Sequence, residues 1–470
     1  MYRMRVFTIS FSALLIVSMF LPCFMYTPAV AQDTDPIKIG IFAPFTTASL
    51  SFYAPWTKQG FELGMIYATT EMGYDNENKT QAGRDYEFHY YDTKGDVTEA
   101  ASLATTAIET DGIDILVGAT YSSVAAALVP IAETYEKLFF ITPAADASLT
   151  GSLLNQYVFR IARNNWHDAY AGVTYAMDTL GHTNFAFLAA DYSFGYSGVE
   201  SMKAVIEEKG GTVVIEEYAA LGTTDFSPEL TNILAADAST GIDYLFVIWA
   251  GSFAEMYADF GTYNIADSME IAGACIDILS MNIIEAGMTP PATYVGATGL
   301  CLYGYQLPDN DVNDWMVEQH VARNVRPNGA FGLQYRVPEL FTASAFATAQ
   351  FLVDVTNAVP SLDSMSMITY LESGITINAP KGSTYLRPAD HQGLAEMYIA
   401  EAWRDNESGS ETEGFIIAKL VETLDRNSVA PPIDTNYTPI QPAFDLVTIS
   451  VVVGVVLVVV IIAVVWFRKR

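Results

Sequence analysis

Ile115-Leu116-Val117-Gly118-Ala119-Thr120-Tyr121-Ser122-Ser123 is the stretch from which the fold is read. Four residues closing on a glycine read as a short buried strand, a turn follows, and Ser122 opens an amphipathic run to 135 that reads as a helix. The same unit recurs on both sides of it. Strands are expected at 37–43, 86–92, 115–118, 139–142, 185–190, 212–218, 244–248, 269–274 and 294–300. Helices are expected at 56–70, 97–110, 122–135, 167–180, 196–209, 228–236, 252–262, 310–320 and 339–358. Strands alternating with helices predict an α/β protein with parallel sheets.

The alternation falls into two blocks, one ending near Phe159 and one from about Asn184 to Ala274, with Phe159-Arg160-Ile161-Ala162-Arg163 between them. That segment is too short for a flexible linker. The expectation is two doubly wound lobes joined by short crossings, with the ligand cleft between them at the carboxyl ends of strands.

The two ends read differently. Met1-Tyr2-Arg3-Met4-Arg5 is followed by an uncharged apolar run over 6–26 and by Ala29-Val30-Ala31, which makes 1–31 an expected export signal. Cys23 follows Leu21-Pro22, where a lipoprotein signal wants small residues. Residues 446–467 carry no charge, are dominated by Val and Ile, and span about 30 Å of hydrocarbon as a helix. A transmembrane helix is therefore expected at 445–467, with Arg468-Lys469-Arg470 as a cytoplasmic tail and everything upstream outside the cell. Pro431, Pro432, Pro439 and Pro442 predict an extended stalk over 426–444.

Formal net charge is −31, from 23 basic and 54 acidic residues, so the surface repels nucleic acid and anionic lipid. Once the signal leaves, Cys275 and Cys301 remain as an expected disulfide in a compartment that permits one. Asn78, Asn406 and Asn436 open sequons compatible with glycosylation outside the cell.

Several further stretches stand in a fixed order over 37–404: Ile37-Lys38-Ile39-Gly40-Ile41, Tyr91-Asp92-Thr93-Lys94-Gly95-Asp96, Val117 to Ser123, Thr142-Pro143-Ala144-Ala145, Asp191-Tyr192-Ser193-Phe194-Gly195, and Ala379-Pro380-Lys381-Gly382 with Asp390-His391-Gln392. In that combined order the chain resembles the branched-chain amino-acid and amide binding family, the type I periplasmic binding proteins. The resemblance implies two Rossmann-like lobes crossed three times by the chain and closing on ligand like a hinged clamp. Lobe 1 would take 36–159 and 277–376, and lobe 2 would take 160–276 and, with the third crossing, 377–425.

Candidate ligand contacts follow. The Ser122 hydroxyl and nearby N–H groups can meet an anion at a helix start, or Ser122 is an ordinary N-cap; the resemblance implies that it receives the ligand's α-carboxylate. It also implies contacts from the backbone of Ala144 and from position 146, where Asp146 replaces the usual hydroxyl residue. That carboxylate either favours a ligand ammonium or merely caps the helix after it. Asp277 is the acid nearest to Cys275, where the family tends to place an ammonium-binding carboxylate; residues two apart in extended chain face the same way, so Asp277 either lines the cleft or is simply exposed at the surface. Tyr53, Phe194 and Phe253 read by themselves as core packing, and the resemblance implies instead that they bracket the ligand with rings.

His89, His167, His182, His320 and His391 form no H-E-x-x-H pattern, and neither a G-x-S-x-G elbow nor a P-loop occurs. Neither catalysis nor a metal or cofactor is expected. The expected function is an extracytoplasmic solute receptor of an ABC importer that captures an amino acid, branched-chain or similar, or a small amide, with permease and ATPase subunits as partners. The alternative is the ligand-sensing ectodomain of a signalling complex, since one fold serves both.

Overall fold

The computed structural model describes residues 34–46, 53–73, 76–251, 253–273, 276–287, 295–324 and 335–439. The expected export signal, the transmembrane run, the cytoplasmic tail and Cys275 lie outside them. Among the described residues no helix is long and apolar enough to cross a membrane.

Strands β1 (Ile37–Ala43), β2 (Tyr86–Asp92), β3 (Ile115–Gly118), β4 (Phe139–Ile141) and β5 (Val158–Arg160) form a parallel sheet in the order β2-β1-β3-β4-β5. In the second lobe β6 (Asn184–Ala190), β7 (Thr212–Ala219), β8 (Tyr244–Ile248) and β9 (Glu270–Gly273) pair in parallel as β7-β6-β8-β9. The central strands are continuous apolar runs because helices cover both faces. In each sheet the winding reverses beside the first strand, between β1 and β3 and between β6 and β8. Loops leave such a point in opposite directions and open a crevice at the strand ends.

Six more strands complete the fold: β10 (Thr298–Cys301), β11 (Thr376–Ala379), β12 (Gly382–Arg387), β13 (Gln392–Leu394), β14 (Met397–Arg404) and β15 (Ile416–Leu424). β13 pairs in parallel with β5, and the antiparallel β12 and β11 extend that edge, giving an eight-stranded sheet in lobe 1. β10, β14 and β15 form an antiparallel sheet that packs Leu300 and Met397 against Ala171 of the lobe 2 helix Asn165–Thr174.

This moves two expected boundaries. The described residues 277–287 and 295–301 belong beside lobe 2, because the helix Ile278–Gly287 packs on Phe253–Thr262 and on β15 and β10 pairs with β14. The chain returns to lobe 1 only with the helix Asp311–Ala322, whose Trp315 ring meets Tyr67 at 5.0 Å. The third crossing falls between β13 and β14, so 376–394 complete lobe 1 rather than lobe 2; their strands cover an edge that would otherwise stay open.

Lobe 1 is centred on the helix pair Tyr53–Thr70 and Leu340–Ala358. A Cβ at Gly60 would stand 2.2 Å from the Thr342 carbonyl oxygen, and one at Gly64 2.5 Å from that of Phe346. Only glycine permits this approach, and it lets Leu340–Ala358 bury nearly all of its faces.

The first crossing is held by Arg160, which is 0% exposed. Its Nε donates to Gln392 Oε1 (2.8 Å), Nη1 to Asp146 O (2.5 Å), and Nη2 to Thr150 Oγ1. Gln392 Nε2 in turn donates to Ala162 O (2.7 Å). One guanidinium thus ties the end of β5 to the strand that precedes the third crossing.

The expected stalk also needs correction over its described part. Val429 is fully buried among Ala171, Leu300, Leu302 and Met397. Pro431 O accepts from Arg387 Nη2 (2.9 Å), and the Tyr437 hydroxyl donates to Glu372. Two apolar side chains among the prolines are enough to lay 426–439 along the folded body. Cys301 is a free, buried thiol.

Candidate functional site

A cavity of about 110 Å³ lies where the two switch points face each other. Thr120 and Ser122 reach it from the end of β3, Tyr192 and Phe194 from the end of β6, and Trp249, Ala250 and Phe253 from the end of β8. Tyr53, Asn165, Leu279 and Leu340 stand in the first turns of four further helices on its wall. Many helix N-termini therefore converge on one space, each bringing a partial positive charge.

Six of the expected ligand residues line this cavity: Tyr53, Ser122, Ala144, Phe194, Phe253 and Asp277. Ser122 is the first residue of the helix Ser122–Thr134, whose N-cap position is Tyr121. Its Oγ accepts the Asp146 N–H (3.2 Å), which leaves the hydroxyl proton for a group in the cavity. Tyr53 stacks on Phe341 with centroids 4.0 Å apart. Phe194 is fixed through its carbonyl, which accepts from Asn165 Nδ2 (2.9 Å). Asp277 Oδ1 accepts the Ser280 N–H (2.8 Å), so it also caps the helix Ile278–Gly287.

Ala144 and Asp146 depart from expectation. The Ala144 N–H is already given to Ala119 O (3.2 Å), so its backbone donor is occupied. Asp146 is directed away from the cavity: Oδ1 accepts from Ser148 N (2.9 Å) and Ser148 Oγ (2.8 Å), capping the short helix Ala147–Thr150. It lines a separate space of about 510 Å³ with Trp166, Ser197 and Asp434. Capping, the alternative reading of Asp146, is what its geometry shows.

Among the cavity residues unread in the sequence are Arg163, Asp168, Trp249 and Glu339. Arg163 Nη2 lies 3.3 Å from Asp168 Oδ2, and Arg163 Nη1 donates to Pro143 O (3.3 Å). Burial raises the Asp168 pKa, against the opposing pull of Arg163. Glu339 caps Leu340–Ala358 by accepting the Phe341 N–H (3.0 Å), and burial followed by the Asp277 charge pushes its pKa well above the usual carboxylate range. Thr120 Oγ1, Arg163 Nε, Asp168 Oδ1 and Trp249 Nε1 are buried with no partner. An unmet buried donor or acceptor costs about 1–3 kcal/mol. The wall therefore carries hydrogen-bonding capacity that a polar solute would satisfy, beside rings that would cover its apolar part. Among the described residues no His, Cys, Asp or Glu cluster could hold a metal ion.

Known proteins agree with this architecture. Residues 36–408 match the family model described as periplasmic binding protein, whose members bind solutes rather than transform them. The Leu/Ile/Val-binding protein homolog 6 of Brucella abortus is 26% identical over 209 residues, 44% of this chain and 50% of that protein. The chain thus matches about half the length of such curated relatives, although the homolog 2 of the same organism aligns over 79% of this chain and 92% of its own length at 21% identity. Among solved structures, an ABC-type branched-chain amino acid transporter from Rhodopseudomonas palustris is similar with a TM-score of 0.65 at 26% identity, covering 85% of this chain and 100% of that one. A periplasmic binding protein from Burkholderia mallei reaches a TM-score of 0.73 at 20% identity, covering 87% and 100%. A solute-binding protein from Rhodopseudomonas palustris in complex with 4-hydroxybenzoate gives 0.68 at 18% identity, covering 83% and 98%. With more than three quarters of its length matched by one family model and two lobes facing across a lined cleft, the chain belongs to the periplasmic binding protein family.

Proposed function

We propose that this protein is the extracytoplasmic receptor of an ABC importer, capturing an amino acid or small amide by closure of two lobes and presenting it to separate permease and ATPase subunits. The observation that carries this reading is the cavity itself, which draws Ser122 from lobe 1 and Phe194 from lobe 2 onto one space. A solute that touches both lobes favours the closed arrangement by the difference in its affinity for the two states. The uncharged run over 446–467 supports attachment to the outer face of a membrane, with 1–31 as the export signal.

A thermal-shift screen over amino acids, amides, urea and benzoates tests the reading. A ligand present at a hundred times its Kd is expected to stabilise the protein by about 2.7 kcal/mol. Ser122→Ala, with the fold intact, is expected to weaken the best ligand by about one to two decades, the worth of a hydrogen bond to a charged group. An amino-acid hit whose affinity ignores Ser122→Ala would remove Ser122 from the site, and stabilisation by benzoates alone would remove the ligand class.

A further inference from the structure

We propose, resting on the closure of two lobes described above, that Tyr121, Tyr192 and Ser197 form a latch between the lobes and position the two halves of the solute cavity. Tyr121 and Tyr192 hold matching places. Each is the N-cap of the helix that follows the strand at its switch point, Ser122–Thr134 in lobe 1 and Ser193–Glu208 in lobe 2, and neither side chain makes a cap bond. Ser, Thr, Asp or Asn at an N-cap would satisfy a backbone N–H of the first turn, which these phenols do not. The two tyrosines meet each other instead: their rings pack edge to face across the lobes, with centroids 6.1 Å apart and planes at 61°. Such a pair is favourable beyond the area that it buries. The Tyr121 ring is seated against Gly95, where a Cβ would stand 2.7 Å from it.

On the same lobe 2 helix the buried Ser197 adds a hydrogen bond across the gap. Its Oγ accepts the N–H of Ala147 (2.9 Å), the first residue of the short lobe 1 helix Ala147–Thr150. Both contacts join residues of different lobes, so both are lost to water when the lobes part. The latch is also tied to the cavity. Tyr192 lines it beside Phe194, Tyr121 directly precedes Ser122, and Ala147 follows Asp146, whose N–H donates to Ser122 Oγ (3.2 Å). A solute that holds Ser122 and Phe194 in place therefore keeps the parts of the latch in register. The latch in turn raises the share of molecules that are closed before solute arrives, which tightens the binding of every enclosed solute by the same factor.

Hydrogen exchange of the full-length protein without solute, read by mass spectrometry over 145–150, tests this. Neither Tyr121 nor Ser197 lines the solute cavity. Tyr121→Ala is expected to speed exchange of the Ala147 amide by about two- to tenfold, the worth of an aromatic pair, although the acceptor Ser197 is untouched. Tyr121→Phe keeps the ring and is expected to exchange like wild type. Amides of β3 and β6 are expected to stay protected in both variants, which separates parting of the lobes from unfolding. Should Tyr121→Ala fail to fold, Tyr192→Ala removes the same contact from the other side and is read in the same way. An Ala147 amide that exchanges at the wild-type rate in a folded Tyr121→Ala or Tyr192→Ala variant overturns the latch and leaves the receptor standing. The receptor reading falls separately, if no solute in the thermal-shift screen stabilises the protein, because the exchange measurement contains no solute.

Discussion

Arg160→Ala is expected to destabilise the protein by about 3–5 kcal/mol, read as a lower urea midpoint. The side chain lies wholly inside the fold, and its donors meet Gln392 Oε1, Asp146 O and Thr150 Oγ1. Alanine would remove these bonds at once, leaving Gln392 Oε1 and Thr150 Oγ1 only each other (2.9 Å) and Asp146 O only the Leu149 N–H (3.3 Å), and would open a cavity beside them, and the two costs act together. Because Gln392 also holds Ala162 O, the damage would fall on the first and third crossings at once. Arg160→Lys keeps the charge but not the planar fork, so a loss between wild type and alanine is expected. A midpoint within error of wild type for the alanine variant would show that the crossings are held by something else.

The second large effect is a loss of stability in mild acid. His320 is fully buried on the helix Asp311–Ala322, neither ring nitrogen has a partner, and burial, aided by Arg323, lowers its pKa to about 4. Above pH 6.5 the ring is neutral in both folded and unfolded chains and contributes no pH dependence. Below that value the unfolded chain takes up a proton that the folded one refuses, so stability falls as pH drops from about 6.5 to about 4. At 1.36 kcal/mol per unit the total is about 3 kcal/mol. His167 is buried and lowered as well, with the same sign. Glu339 acts oppositely: its raised pKa gives stability that is full at low pH and lost as pH rises. Comparing wild type with His320→Leu across this window cancels both, and the difference in their acid slopes is expected to be the His320 contribution. Parallel slopes would contradict it.

The strands buried on both faces were legible to the residue. The runs at 37–43, 115–118 and 244–248 coincide with β1, β3 and β8, because apolar side chains on both faces leave an unbroken signal, and the run at 86–92 coincides with β2 although that edge strand is mostly half-buried. β5 is only three residues long and gives no period to read. β11 to β15 mix glycine and polar residues with half-exposed faces, so neither the strands nor their lobes showed in the pattern. The stalk was misread for a related reason: two anchoring side chains, Val429 and Tyr437, do not make a periodic face.

At the site, residues on strand-to-helix turns were found and those supplied by the crossings were not. Ser122 and Phe194 follow strands within recognisable units, whereas Arg163 and Glu339 reach the cavity because distant segments converge there. Trp249 had a usable signal, since it directly follows β8 beside the reversal in sheet order. Asp146 shows the limit of position alone: its backbone is where the motif puts it, but its side chain turns to Ser148.

The most direct test of the central claim is a crystal structure of the protein with the tightest ligand from the screen. The account predicts that solute enclosed between the lobes, with its carboxylate or amide within hydrogen-bond distance of Ser122 Oγ and Phe194 covering it from lobe 2. Ligand density instead in the space lined by Asp146, Trp166 and Ser197, or on the outer surface of one lobe, would contradict it.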